Sequence, residues 1–233
     1  MDFFIETPYF GILISIIAFE IGLYIYKKTK FPALHPLLIS ISLIILTLSI
    51  FDIDLSSYEK GGNIISLFLG PVTVVLAIPL YKQIDLLKKH TLPILLGVFT
   101  GVLTSFISVA ILAKLFNYDI KMLYSLIPKS ITTPIGIEVS ETIGGIPSIT
   151  VMSIVITGII GAIIAPFVCK IFKIEDKVAR GIAIGTSSHA VGTSKAMEMG
   201  QTEGAMSGLA MGLTGLITAL IVPLLLMIFK FIK

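Results

Sequence analysis

Between Ser125 and Glu203 the sequence carries charge, hydroxyl and glycine in a chain that is otherwise oily. Two clusters hold most of it. The first is Pro128-Lys129-Ser130-Ile131-Thr132-Thr133-Pro134, leading to Glu138 and Glu141; the second is Ser187-Ser188-His189-Ala190-Val191-Gly192-Thr193-Ser194-Lys195, leading to Glu198. Ammonium groups beside hydroxyls suit an anion. Lys129 and Lys195 can neutralise a carboxylate, while Ser130, Thr132, Thr133, Ser188 and Thr193 offer oriented hydrogen bonds, and His189 and Gly192 complete the candidate substrate-binding set. Glu138, His189 and Glu198 are the candidates to carry a coupling proton, because carboxyl and imidazole groups can be brought by their surroundings to titrate near neutral pH.

Plainer readings compete with these. Lys195 and Glu198 stand at i, i+3 on a helix and can simply pair with each other at a surface. His189 can be a packing residue that hydrogen-bonds a neighbouring helix. Hydrolysis has little support: adjacent positions on a helix point about 100° apart, and Gly185-Thr186-Ser187-Ser188-His189 lacks the second glycine of a nucleophile elbow. The chain is therefore not expected to be an enzyme, and neither a cofactor nor a metal site is expected.

The elements that must position these groups are membrane helices. The chain has 233 residues, 55% hydrophobic and 13% charged, with a mean hydropathy of +1.03; a soluble domain carries about 25% charged residues. Each crossing needs roughly 20 apolar residues. An all-α polytopic membrane protein is expected, 1–233 being one integral membrane domain, with N-terminal helices in 1–60 and a core in 62–233. Apolar runs at 8–26, 34–51, 63–80, 92–115, 148–169 and 204–229 give about six transmembrane helices. The segments 122–147 and 181–203 are too polar for ordinary spans and are expected as broken or re-entrant helices.

Lysines after the first run place that end in the cytoplasm by the positive-inside bias. Six crossings then leave Lys230 and Lys233 outside, against the same bias. Asp2 and Glu6 stand where a signal peptide would be basic, so the first run is expected to be a retained helix. Cys169 is the sole cysteine and reads as a small buried apolar residue. The basic residues sit in short loops, so the partners expected are lipid and a small organic anion, not nucleic acid.

A shift of 60 residues lays Thr133 on Thr193, Glu138 on Glu198 and Gly144 on Gly204. One full crossing separates the copies, so they would enter from opposite faces. That is the arrangement of inverted repeats, which bring half-helix ends to the midplane of secondary transporters. A charge at that depth costs at least about 2.5–3.5 kcal/mol, so it needs a partner or a wet cavity.

Several stretches resemble the LrgB/CidB family: Leu69-Gly-Pro-Val-Thr-Val-Val-Leu-Ala-Ile-Pro-Leu-Tyr81, Pro128-Lys-Ser-Ile-Thr-Thr-Pro-Ile-Gly-Ile-Glu138, Gly144-Gly-Ile-Pro147 and Ala179-Arg-Gly-Ile-Ala-Ile-Gly-Thr-Ser-Ser-His-Ala-Val-Gly-Thr193. The family includes the LrgB-like part of the plastidial glycolate/glycerate translocator. The resemblance implies one of two activities in the cytoplasmic membrane. One is an antiholin-like regulator of murein hydrolase export and cell lysis, acting beside a small LrgA/CidA-like membrane subunit. The other is a carrier of small monocarboxylates such as pyruvate, glycolate or glycerate, with a homo-oligomer as a second candidate assembly. Gly136 stands where the family pattern has Ala, and Ser194 and Lys195 where it commonly has Ala and Arg; lysine gives up bidentate carboxylate recognition. A holin-type pore needs no buried ionisable cluster, whereas an anion carrier does, so the polar region favours the carrier.

Overall fold

The computed structural model describes residues 2–29, 31, 34–68, 71, 74, 75, 78, 81, 84–89 and 91–230. Eight of the eighteen residues of the expected third span, 63–80, lie outside the described residues, as do Lys30, Pro32, Lys82, His90 and Lys233. Every described regular element is helical.

The chain forms two compact units, Met1–Thr73 and Val74–Lys233. The first contains α1 (Pro8–Thr29), α2 (Pro36–Ile50) and α3 (Leu55–Ser66). The expected second span thus appears as a helix of 15 residues, about 22 Å long. Helix α3 crosses α1 at glycine: a side chain on Gly61 would collide with the Pro8 carbonyl and the Ile12 amide, and one on Gly11 with the Tyr58 carbonyl. Beside this crossing Ser15 Oγ and Tyr58 Oη lie 3.0 Å apart. Gly61→Leu should therefore force the pair apart and cost about 1–3 kcal/mol; a fall in the unfolding midpoint of the detergent-solubilised protein checks this.

The second unit holds the polar region. Its long helices are α4 (Thr91–Leu115), α7 (Pro147–Ile171) and α9 (Gln201–Lys230), each apolar enough over a full window to cross a bilayer. Exposed Ile107, Ile111, Phe167, Leu216 and Leu220 form the kind of surface that lipid covers.

Between α4 and α7 the chain makes a short hairpin. Helix α5 (Ile120–Leu126) runs into a 3₁₀ turn, Ile127–Ser130, Ile131 and Thr132 are extended, and α6 (Thr133–Ile143) leads back to a left-handed cap at Gly144. Gly145 packs against Tyr124 and Ser125 at the hairpin base, where Ile146 N donates to Ser125 Oγ at 2.7 Å. The tip lies deeper, with Gly136 against Ile154, about two turns into α7. The hairpin therefore enters and leaves on one side.

The second hairpin is α8 (Lys177–Met199), one helix broken at His189, where φ is 43° and ψ is −134°. Its second arm folds back, bringing Gly192 beside Ile184 and Ser188. Helix α9 starts level with the first arm, with Gly181 against Glu203 and Met206 and Gly185 against Ser207. Because α7 separates the two hairpins, they penetrate from opposite faces. Both expected broken segments are thus re-entrant.

The repeat is clearer in the elements than in the identities. Helices α4 and α7 both have 25 residues and begin at 91 and 147, a shift of 56. Each is followed by a phenylalanine, Phe116 or Phe172, and then a left-handed residue, Asn117 (φ 52°) or Lys173 (φ 51°). Each then leads to an aspartate N-cap: Asp119 accepts from Met122 N and Asp176 from Ala179 N. Gly144 and Gly200 close the two hairpins, again 56 apart. The shift of 60 suggested by Thr133/Thr193 and Gly144/Gly204 is therefore off by about one helical turn.

Candidate functional site: a cavity at the hairpin tips

The two prolines of the first cluster shape its tip. Pro128 opens the 3₁₀ turn and Pro134 opens α6, positions where a missing N–H costs nothing. Lys129 is thereby held at the turn, its Nζ donating to Ser130 Oγ at 3.1 Å, and Ser130 Oγ lies 3.2 Å from Ser105 Oγ on α4. The chain Lys129–Ser130–Ser105 ties the tip to α4.

The second tip is seated by glycines of α7. A side chain on Gly158 would strike the His189 ring, and one on Gly161 would strike Ser188. His189 is buried, and its Nε2 lies 2.9 Å from the Ile154 carbonyl oxygen. A carbonyl only accepts, so the neutral ring carries its proton on Nε2 and leaves Nδ1 as the acceptor.

These parts surround a cavity of about 710 Å³. Its inner end is polar: Thr104, Ser105 and Ser108 from α4, Lys129 and Ser130 from the first tip, Thr157 from α7, and Thr186, Ser187 and Ser188 from the first arm of α8. From there it extends along α7 past Ile164 and Val168 to Cys169 and Ile174. That is the end bearing Lys170, Lys173, Lys177 and Arg180. Among the described lining residues Lys129 alone carries a charge. The cavity thus has one cationic point, a ring of hydroxyls and an apolar approach, suited to one small monoanion.

The candidate residues from the sequence separate into four groups. Lys129, Ser130 and Ser188 line the cavity. His189, Gly192 and Thr193 lie behind it in the packing: Thr193 Oγ1 donates to the His189 carbonyl at 2.8 Å and meets Ser207 Oγ at 2.8 Å. Thr132, the N-cap of α6, is buried with its hydroxyl unpartnered, and Thr133 starts that helix. Lys195 is not in the cavity; it pairs with Glu198 at 2.8 Å near the surface, the plainer of the two arrangements its spacing allowed. Glu138 is exposed on α6. Lys129 and Lys195 therefore do not share a hollow. Lys195→Ala should change stability by no more than about 0.5 kcal/mol, and anion uptake, measured with the same preparation, should stay within about twofold.

Ser105, Thr157 and Thr186 were not among the sequence candidates. A signal for the first existed: Gly97, Gly101 and Ser105 recur every four residues and so share one face of α4. In the structure Gly97 faces Ile182 and Gly101 faces Thr186.

The relatives agree with this architecture in extent. The model of the LrgB-like family matches residues 15–228. An antiholin-like protein LrgB from Bacillus cereus (strain B4264) is 38% identical over 219 residues, covering 94% of this chain and 95% of the relative. The protein of that name from Bacillus anthracis (strain CDC 684 / NRRL 3495) matches to the same degree. No solved structure matches. A match over nearly the whole length, both hairpins included, makes this helical membrane protein a member of the LrgB-like family.

Proposed function

We propose that the protein carries small monocarboxylates across the cytoplasmic membrane, binding them one at a time at the hairpin tips. The observation that supports this is the cavity with Lys129 as the sole charge among its described lining residues. An ammonium group in a low-dielectric pocket binds an anion far more strongly than one in water, and the hydroxyls around it can replace the anion's hydration shell. The opposed hairpins supply the two-faced framework that alternating access uses. Glu138 and Glu198 stand outside the cavity, which leaves His189, through Nδ1, as the remaining candidate for a coupled proton.

The names of the relatives favour a second reading, an antiholin-like role. That role, in murein hydrolase export and lysis beside an LrgA-like subunit, makes no use of a half-buried lysine in a hydroxyl-lined cavity. Uptake of labelled pyruvate and glycolate into proteoliposomes, with and without a pH gradient, separates the two. Saturable uptake supports the carrier. Absence of uptake for every monocarboxylate, even with an LrgA-like subunit added, leaves the antiholin-like reading.

A further inference from the structure

The cavity obeys the repeat. Shifting Thr100, Gly101, Thr104, Ser105 and Ser108 of α4 by 56 gives Ile156, Thr157, Ile160, Gly161 and Ile164 of α7, and all ten positions line it. The aspartate caps Asp119 and Asp176 set a shift of 57 between the first arms of the hairpins. That shift carries Lys129 and Ser130 onto Thr186 and Ser187, which line the cavity too. The charged point of the first hairpin thus has a neutral counterpart in the second.

Thr186 lacks a bond that several other helical threonines make. Thr100, Thr104, Thr142, Thr193 and Thr214 all donate their hydroxyls to the carbonyl four residues earlier. Thr186 is only 6% exposed and its Oγ1 has no hydrogen-bond partner. A buried hydroxyl left unpaired is costly, and helix geometry offers Thr186 the same local acceptor that the others use. Room beside it comes from Gly101, where any side chain would strike the Thr186 methyl group.

We infer that Thr186 is the specificity-determining contact of the carboxylate site: Lys129 holds the carboxylate, and Thr186 Oγ1 hydrogen-bonds an oxygen on the adjacent carbon. In the pyruvate- and glycolate-like acids of the carrier reading this is the 2-oxo or 2-hydroxy oxygen, and Thr186 selects them over the same acid without it. The inference rests on the carrier reading. A hydroxyl serves both oxygens, because it donates to a keto group and accepts from or donates to an alcohol. Discrimination follows because an acid lacking the oxygen leaves Thr186 buried and unpaired, which is how a polar site rejects a smaller analogue.

The competing explanation is structural. A void of about 10 Å³ beside Ser105, Ser130, Thr186 and Thr214 has room for about one water, which could satisfy the hydroxyl without any ligand. Glycolate and acetate separate the two, since both are two-carbon monocarboxylates that differ by a single hydroxyl. Initial uptake of each is measured in proteoliposomes with wild type, Thr186→Val, Thr186→Ala and Thr186→Ser, alongside thermal unfolding in detergent. The wild type should prefer glycolate. Thr186→Val should lower the glycolate-to-acetate ratio by about 10-fold or more, mainly through loss of glycolate, with the unfolding midpoint unchanged, and Thr186→Ser should restore the ratio. Thr186→Ala reads the same ratio should the valine variant fold poorly. An unchanged ratio, an equal loss of both acids, or a wild type indifferent to the hydroxyl overturns the assignment of Thr186 while leaving the carrier reading standing. A wild type that takes up pyruvate but neither two-carbon acid also overturns the assignment, and one that takes up no monocarboxylate, even with an LrgA-like subunit added, overturns the carrier reading and this inference with it.

Discussion

Lys129→Met should abolish uptake of small monocarboxylates while the protein still inserts, folds and binds detergent like the wild type. Methionine keeps most of the stem's volume and removes only the charge. The loss is expected to be large because no second cation among the described residues lines the cavity to take over. Removing one partner of a buried, hydrogen-bonded charge pair costs about 2–5 kcal/mol, which at 1.4 kcal/mol per decade is about 30-fold to several thousand-fold in affinity. Stability should move the other way or stay level. In the empty cavity the ammonium has the Ser130 hydroxyl as its hydrogen-bond partner, and an under-partnered charge in an apolar setting costs stability that methionine does not. Uptake and thermal unfolding measured on one preparation decide the matter: uptake retained within about tenfold would remove Lys129 from the site. Ser105→Ala should give a milder version of the same defect, because Ser105 positions Ser130 and does not carry the charge.

The first hairpin was legible in the sequence because proline announces it. Pro128 and Pro134 bracket the break, and each removes a backbone donor that a continuous helix would need. The second break was legible as a polar interruption but not at its position. Ser187-Ser188-His189-Ala190 contains neither proline nor glycine, and the turn falls on a histidine with positive φ. What fixes it is tertiary: Gly158 and Gly161, on another helix, leave the space that the ring and Ser188 fill. Spacing along one helix could not show that.

The site was legible in part for a related reason. Charged and hydroxyl residues were read from two dense clusters, and Lys129, Ser130 and Ser188 from them do line the cavity. Lys195 belongs to the same dense run but sits on the returning arm, where it faces Glu198 and not the cavity. Linear proximity to His189 says nothing about which arm a residue falls on once the chain reverses. Conversely, Ser105 and Thr157 lie in runs oily enough to read as plain spans, so their hydroxyls carried no local contrast. The repeat register shows the same limit. Chance identities favoured a shift of 60, whereas the helix ends, each a phenylalanine, a left-handed residue and a capping aspartate, fix it at 56 to 57.

At position 189 glycine should be tolerated better than alanine, the reverse of the usual order inside a helix, where alanine is favoured by roughly 1 kcal/mol. His189 has φ 43° and ψ −134°, a conformation that side chains with a Cβ adopt only under strain of about 1–3 kcal/mol. The native ring offsets that strain by filling the space over Gly158 and donating to the Ile154 carbonyl. His189→Ala keeps the strain and loses both compensations, for a total of about 2–4 kcal/mol. His189→Gly loses the same contacts but relaxes the backbone, so its unfolding midpoint should lie above that of the alanine variant. Both should transport poorly, because Ser188, the preceding residue, is held in the cavity wall by the same turn. An alanine variant as stable as the glycine variant would show that the turn relaxes without cost. Full uptake by either would show that the ring neither carries a proton nor shapes the site.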